Sequence, residues 1–304
     1  MLSYEEVLYD LAQAHPELLV LTAENRAAIR RLPERLGERF LDFGICEQTL
    51  VGAAAGLALR GRLPVVHALA AFLTMRAFEF IRTDVGWRRL PVILVGYVPG
   101  FLSEANGPTH QALEDVALMR GIPGMNVFCP ADRDELTRGM RLLAADPVPC
   151  YVRYCDLPPS IPHAGPWARG RAELLSEGRD VTLLTYGLLL REAVEAMRIL
   201  ELRGVSVRLV DLRWLQPVDR EAILESARLT SALVTLEDHF QTGGLYSIVC
   251  ETLQRAGLSR PVLPLALEER WFQPGLLPEV LHHEGFRGDQ IAVRILEELS
   301  IHAH

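Results

Sequence analysis

Read along its length, the chain alternates between short apolar runs and longer stretches in which apolar residues recur every three or four positions. The first pattern marks strands buried on both faces, and the second marks amphipathic helices. The apolar runs predict strands over residues 18–22, 64–69, 90–98, 126–129 and 150–154, and the spacing between them predicts helices over 47–59, 72–85, 112–120 and 132–144. Leu157-Pro158-Pro159-Ser160-Ile161-Pro162-His163-Ala164-Gly165-Pro166 then breaks the alternation, because proline removes backbone donors and disfavours regular structure. Beyond it the pattern restarts, with strands over 181–186, 205–211, 232–237 and 262–266 and helices over 191–202, 220–226, 245–256 and 290–299. The expectation is an α/β protein of two domains, each a mostly parallel sheet flanked by helices. The domains are expected over residues 1–156 and 179–304, with residues 157–178 as a linker.

Composition narrows the function classes. At 304 residues the chain can bury two cores of ordinary size. A net charge of −8 argues against non-specific nucleic-acid binding. No apolar run is long enough to span a bilayer, and the acidic start Met1-Leu2-Ser3-Tyr4-Glu5-Glu6 lacks the basic region of a signal peptide. A cytoplasmic chain with neither nucleic acid nor membrane as partner is expected. The five cysteines, at 46, 129, 150, 155 and 250, form no C-x-x-C pair and no His/Cys ligand spacing, so neither a metal site nor disulfides are expected of them. The tail Ile301-His302-Ala303-His304 is too short and mixed to mark a metal site. All 31 basic residues are arginine, since the sequence contains no lysine, which excludes a lysine Schiff base and a P-loop lysine.

Residues able to carry chemistry concentrate between Phe43 and Gln111. Glu47 stands in Gly44-Ile45-Cys46-Glu47-Gln48; taken alone it is a helix-start carboxylate favoured by the macrodipole. Phe72, Met75 and Phe78 share one face of the helix predicted over 72–85, and core is the default reading of such a stripe. His110, in Gly107-Pro108-Thr109-His110-Gln111, is presented by a tight loop. His67 closes the strand predicted over 64–69, where strand ends face the cleft of an open α/β sheet; a satisfied structural histidine is the alternative. In the second half, Glu237-Asp238-His239-Phe240-Gln241-Thr242-Gly243-Gly244-Leu245 reads as a strand running into a Gly-Gly turn and a helix. That turn is either capped by its own side chains or open to an anion.

In this order and spacing, and continuing through Ala112-Leu113-Glu114-Asp115-Val116-Ala117-Leu118-Met119-Arg120 and Ile122-Pro123, these pieces resemble the pyrimidine-binding half of the transketolase family of thiamine diphosphate enzymes. The stretch from Glu237 resembles the second domain of that family and of the β subunits of 2-oxoacid dehydrogenases. The resemblance implies that Glu47 hydrogen-bonds the pyrimidine ring nitrogen of thiamine diphosphate and favours its imino tautomer. It implies that Phe72, Met75 and Phe78 receive the aminopyrimidine, with the Met75 thioether where many relatives carry an aromatic. It makes His110 the group that moves a proton at the substrate carbonyl. It also makes His67, Asn106, Gln111 and Arg153 candidates on the substrate side, Arg153 of Tyr151-Val152-Arg153-Tyr154 matching an arginine that contacts the donor phosphate.

Two departures bear on the substrate. Asn106 stands where the family usually has aspartate, and no histidine occurs between Gly96 and Thr109, so an atypical donor or acceptor is expected. A third departure bears on assembly. The family holds the Mg²⁺ of its cofactor with a Gly-Asp-Gly motif, and the nearest fragment here is Gly288-Asp289-Gln290 at the wrong end. The resemblance therefore implies an N-terminal transketolase-like partner subunit that carries Gly-Asp-Gly and holds most of the Mg²⁺ site, in an α2β2 heterotetramer. The chain itself would be the β-type subunit of an enzyme transferring a two-carbon ketol or acyl unit. One alternative is a 2-oxoacid dehydrogenase-like β subunit, or a relative delivering the unit to a lipoyl or acyl-carrier-protein arm. Another is a non-catalytic assembly subunit, against which the joint retention of Glu47, Phe72 and His110 counts.

Overall fold

The computed structural model describes residues 2–165 and 167–302; Met1, Pro166, Ala303 and His304, and with them parts of the acidic start, the proline stretch and the tail, lie outside the described residues. The chain divides into two compact units, Met1–Pro99 with Leu118–Pro159, and Gly100–Ala117 with Ser160–His304. The segment Gly100–Ala117, which bears Asn106, His110 and Gln111, thus groups with the second unit rather than with its sequence neighbours.

The first unit contributes β1 (Leu18–Thr22), β2 (Phe40–Asp42), β3 (Leu63–Leu69), β4 (Ile93–Tyr97), β5 (Asn126–Phe128) and β6 (Cys150–Arg153). They lie in the order β5-β6-β4-β3-β1-β2, each neighbouring pair parallel. The apolar runs explain the register. Val20 pairs with Val65 and Val65 with Ile93, all three fully buried. Each such side chain contributes about 1.5–3 kcal/mol by leaving water, so a slipped pairing would forfeit it. The connection leaving β1 runs to β2 and the one leaving β3 runs to β4, on opposite sides. Strand order of this kind opens a crevice at the carboxyl ends, and the segments bearing Glu47 and Phe72 follow β2 and β3 there.

Helical features of the first unit differ from expectation. An unforeseen helix, Tyr4–Ala14, starts on a reciprocal cap in which the Glu6 N–H donates to Ser3 Oγ at 3.4 Å and the Ser3 N–H donates to Glu6 Oε2 at 2.9 Å. The helix predicted over 72–85 is instead a pair of wide π-helical segments, Phe72–Arg76 and Ile81–Gly86, around a short α turn at Phe78–Phe80. Its buried apolar residues are Leu73, Ala77, Ile81 and Val85, four apart, as suits a turn wider than the 3.6 residues of an α-helix. Phe72, Met75 and Phe78 fall off that line, so the core reading of the stripe does not hold: both phenylalanines are half-buried and Met75 is 38% exposed.

The second unit contains β7 (Glu173–Ser176), β8 (Val181–Thr185), β9 (Val207–Asp211), a short β10 (Trp214–Gln216), β11 (Ala232–Phe240) and β12 (Val262–Leu267). Its sheet runs β12-β11-β8-β9-β7, parallel except for the antiparallel edge strand β7. β7 lies inside the stretch expected to be linker. The reason is Glu173, which is buried and gathers the preceding loop: Oε1 accepts from the N–H groups of Ala164 at 2.9 Å and Gly165 at 2.7 Å, and Oε2 meets His163 Nδ1 at 2.9 Å and the Arg213 guanidinium. Burial alone would raise this carboxyl, but His163, the Gly165 N–H and Arg213 hold it down at about 2. A second unforeseen helix, Leu277–Glu284, ends on Gly285 at φ 79°, a left-handed cap that suits glycine. Among the described residues no helix is long and apolar enough to cross a membrane.

Candidate active site

In the first unit the turn after β2 is fixed before Glu47 is reached. Gly44 adopts φ 67°, and Asp42 Oδ1 accepts from the Gly44 N–H at 3.0 Å and the Glu24 N–H at 2.9 Å. The helix Glu47–Leu59 then begins with the Glu47 carboxylate turned into the protein, 2% exposed. Its small residues serve less as a close-packing surface than their number suggests: a Cβ at Gly52 would meet nothing nearer than 3.9 Å, and one at Gly56 nothing within 4 Å. Arg76 Nη1 donates to Glu47 Oε2 at 2.7 Å, and the same guanidinium lies 4.3 Å from the centre of the Phe72 ring. Arg76 therefore couples the carboxylate to the aromatic side chain by a charge-assisted bond and a cation–π contact. The sequence signal for it was slight, a single arginine inside Phe72-Leu73-Thr74-Met75-Arg76-Ala77-Phe78. Among the described residues no group donates to Glu47 Oε1. The arrangement offers one anchored oxygen, one oxygen able to hold a proton shared with a ligand nitrogen, and an aromatic face beside them.

His67 is placed differently from a cleft-facing residue. It sits within β3, fully buried, with the rings of Tyr4, Tyr97 and Tyr154 centred 5.5, 5.3 and 6.2 Å from its own. Among the described residues neither ring nitrogen has a hydrogen-bond partner, and burial pushes its pKa down to about 3, so the imidazole is neutral. Arg153, at the end of β6, is also buried, 3% exposed.

The second unit holds the other candidates on Gly100–Ala117. Gly107, at φ 77°, opens a turn closed by the His110 N–H donating to Gly107 O at 3.0 Å. His110 is half-buried, with Nδ1 2.9 Å from Thr109 Oγ1. Asn106 is exposed and its amide donates to Ser103 O at 2.7 Å, within the same loop. Gln111 is buried; its Nε2 donates to Phe272 O at 3.0 Å, while Oε1 has no hydrogen-bond partner among the described residues. The structure thus joins Glu47 to Phe72 through Arg76 in one unit, gathers His110, Asn106 and Gln111 on one loop of the other, and walls off His67.

The Gly-Gly turn after β11 is capped by its own side chain. Glu237 Oε2 accepts from the Leu245 N–H at 2.6 Å and Oε1 from the Tyr246 N–H at 2.9 Å, so the start of the helix Leu245–Arg255 is engaged. A Cβ on Gly244 would lie 2.1 Å from Glu237 Oε2, which is why glycine stands there.

Comparison with known proteins finds two family matches along the chain, the first of which includes Gly100–Ala117. Residues 2–156 match the family description "Transketolase, pyrimidine binding domain", and residues 170–291 match "Transketolase, C-terminal domain". The chain is 35% identical to the 6-deoxy-6-sulfo-D-fructose transketolase subunit SqwH of Clostridium sp. (strain MSTE9), over 83% of this chain and 79% of that one. It is 30% identical to an apulose-4-phosphate transketolase subunit of Phocaeicola vulgatus, over 97% and 96%. A solved structure described as "Split gene transketolase, inactive beta4 tetramer" superposes with a TM-score of 0.87 at 34% identity, covering 98% of this chain and 97% of that one. With both domains matched and the fold reproduced along almost the whole chain, this protein belongs to the transketolase family.

Proposed function

We propose that the chain is the β-type subunit of a two-component thiamine diphosphate enzyme that transfers a two-carbon ketol unit. The observation that carries the reading is Glu47, a buried carboxylate with Oε2 fixed by Arg76 and Oε1 without a donor among the described residues, beside the Phe72 ring. That donor set fits an aminopyrimidine, which pairs a protonatable ring nitrogen with a flat apolar face. Thiamine diphosphate, when bound, supplies the carbon nucleophile that accepts the two-carbon unit. Glu47 would hold the proton on the pyrimidine nitrogen, Arg76 would keep Glu47 oriented, and Phe72, Met75 and Phe78 would exclude water from the ring face. His110 would move a proton at the substrate oxygen, with Asn106 and Gln111 on the same loop. Arg153 remains the candidate contact for an anionic group on the donor. The enclosure of His67 supports a structural role over a place on the substrate side.

This chain offers no Gly-Asp-Gly, so the Mg²⁺ and diphosphate belong to an N-terminal partner subunit, in an α2β2 assembly in the cytoplasm. Ile45, Met75, Phe80 and Trp87, the last 77% exposed, are apolar side chains of the first unit that such a partner would cover. The relatives that match along their own length are named as transketolase subunits, which favours ketol transfer over delivery to a lipoyl or acyl-carrier arm. The purified chain mixed with its partner, thiamine diphosphate and Mg²⁺ is expected to transfer a two-carbon unit from a ketose donor. The chain alone is expected to be inactive and to bind the cofactor more weakly than ~1 μM, or about −8 kcal/mol. Micromolar binding by the chain alone, or an inactive pair across a donor panel, would overturn the reading.

A further inference from the structure

Glu237-Asp238-His239 ends β11, and only Glu237 is engaged by the capped turn. The other two face the segment that carries His110. At one end of that segment the Phe101 N–H donates to Asp238 Oδ2 at 3.2 Å. At the other end the Ala117 N–H donates to His239 Nε2 at 3.3 Å. Between them the Phe240 N–H donates to Leu113 O at 2.8 Å, and Gln111 Nε2 donates to Phe272 O.

The tautomer of His239 follows from its two partners. Nδ1 lies 2.6 Å from the Phe240 carbonyl oxygen and must carry the hydrogen, which leaves the Nε2 lone pair to accept from Ala117. The imidazole is neutral and engaged on both sides. The loop also holds Glu104 at φ 48°, left-handed for a residue with a Cβ, and its Oε1 accepts the Leu277 N–H at 3.1 Å. Such a conformation persists only where the surroundings hold it. Phe101, packed edge-on against Phe272 and Phe286 at 5.2 and 5.0 Å between ring centres, fixes the same end.

We propose that Asp238, His239 and Gln111 are positioning residues for His110, so that the second unit, whose strand end bears no reacting group, sets the geometry of proton transfer. The proposal rests on the reading of His110 given above. Asp238 is fully buried and meets the loop nine residues before His110; Gln111 is the next residue after it. Both act through the backbone that carries the imidazole, and proton transfer is sensitive to displacements of about 1 Å.

The test uses the assembled two-chain enzyme and a double-mutant cycle. Asp238→Ala removes the acceptor and Asp238→Asn keeps one; each is made alone and with His110→Ala. Asp238→Ala is expected to lower kcat about 10- to 100-fold without changing the affinity for thiamine diphosphate, with Asp238→Asn restoring most of the rate. In the His110→Ala background the same change is expected to cost little, because the group it positions is gone. Gln111→Met, close in shape but without the donor, should behave like Asp238→Ala and serves if that variant fails to fold. An equal loss in both backgrounds, or full activity of the folded single variants, would overturn the positioning role alone. A His110→Ala enzyme at wild-type rate would remove this inference together with the role of His110.

Discussion

Glu47 and Glu237 are both glutamates that precede or open a helix, Glu47 as the first residue of Glu47–Leu59 and Glu237 near the end of β11, before the Gly-Gly turn into Leu245–Arg255. In the structure they are opposites. Both oxygens of Glu237 accept backbone N–H groups of the helix it caps, whereas Glu47 is anchored through one oxygen by Arg76 and, among the described residues, has no donor on the other. The two candidate histidines differ in enclosure: three tyrosines surround His67, and a glycine turn carries His110. Residue type sets what a group could do, but a group can act on a ligand only where the packing around it lets the ligand reach it.

The largest effect is expected at Glu47. Glu47→Gln keeps the shape but cannot share a proton in the same way, so turnover by the assembled pair should fall to background while the unfolding midpoint stays unchanged. Near wild-type rates would place Glu47 beside Glu237 as a structural carboxylate. Next, His110→Ala should lower kcat by ~10²–10⁴-fold at saturating cofactor. A loss confined to KM for the cofactor would end its catalytic assignment.

Glu237→Ala should act on stability instead, because it leaves the buried Leu245 N–H and the half-buried Tyr246 N–H without acceptors. Denaturant titration should show a loss of about 2–3 kcal/mol. An unchanged midpoint would erase the contrast between the two carboxylates. The smallest effect concerns His67. Its folded pKa of about 3 lies below the ordinary 6.5, so in that window the unfolded chain binds a proton that the folded chain refuses. Stability should therefore fall as pH drops through 6.5 toward 3, and His67→Phe should flatten the slope, by about 1 kcal/mol at pH 5.5. Identical pH slopes for the two proteins would mean that His67 is not the neutral, enclosed group described.

The parts of this fold that a sequence discloses are those fixed by neighbours in the chain. β1 and the helix Glu47–Leu59 begin and end where the apolar patterns place them. Arg76 pairs with a partner 29 positions away, and no local pattern contains that distance. The π-helical segments arise because Leu73, Ala77, Ile81 and Val85 are all drawn to one core, a demand of packing rather than of propensity. β7 is an edge strand whose pairing with β9 is set by long-range contact, and its proline-rich approach disguises it. Two helices did have local signals, the Ser3/Glu6 cap of Tyr4–Ala14 and the proline start and glycine stop of Leu277–Glu284. His67 lies two residues short of the end of β3, so it remains inside the sheet layer rather than at its mouth.

The segment Gly100–Ala117 also constrains how the protein can be made. The groups that hold it lie 122 to 173 positions further along the chain. A ribosome adds roughly 5–20 residues per second, so the stretch bearing His110 exists for on the order of ten seconds before its anchors have been synthesised. During that interval β4 and its neighbours can form while the loop between them waits, open to proteases and chaperones. Ordering of that loop therefore waits for the arrival of β11 and the residues that follow it.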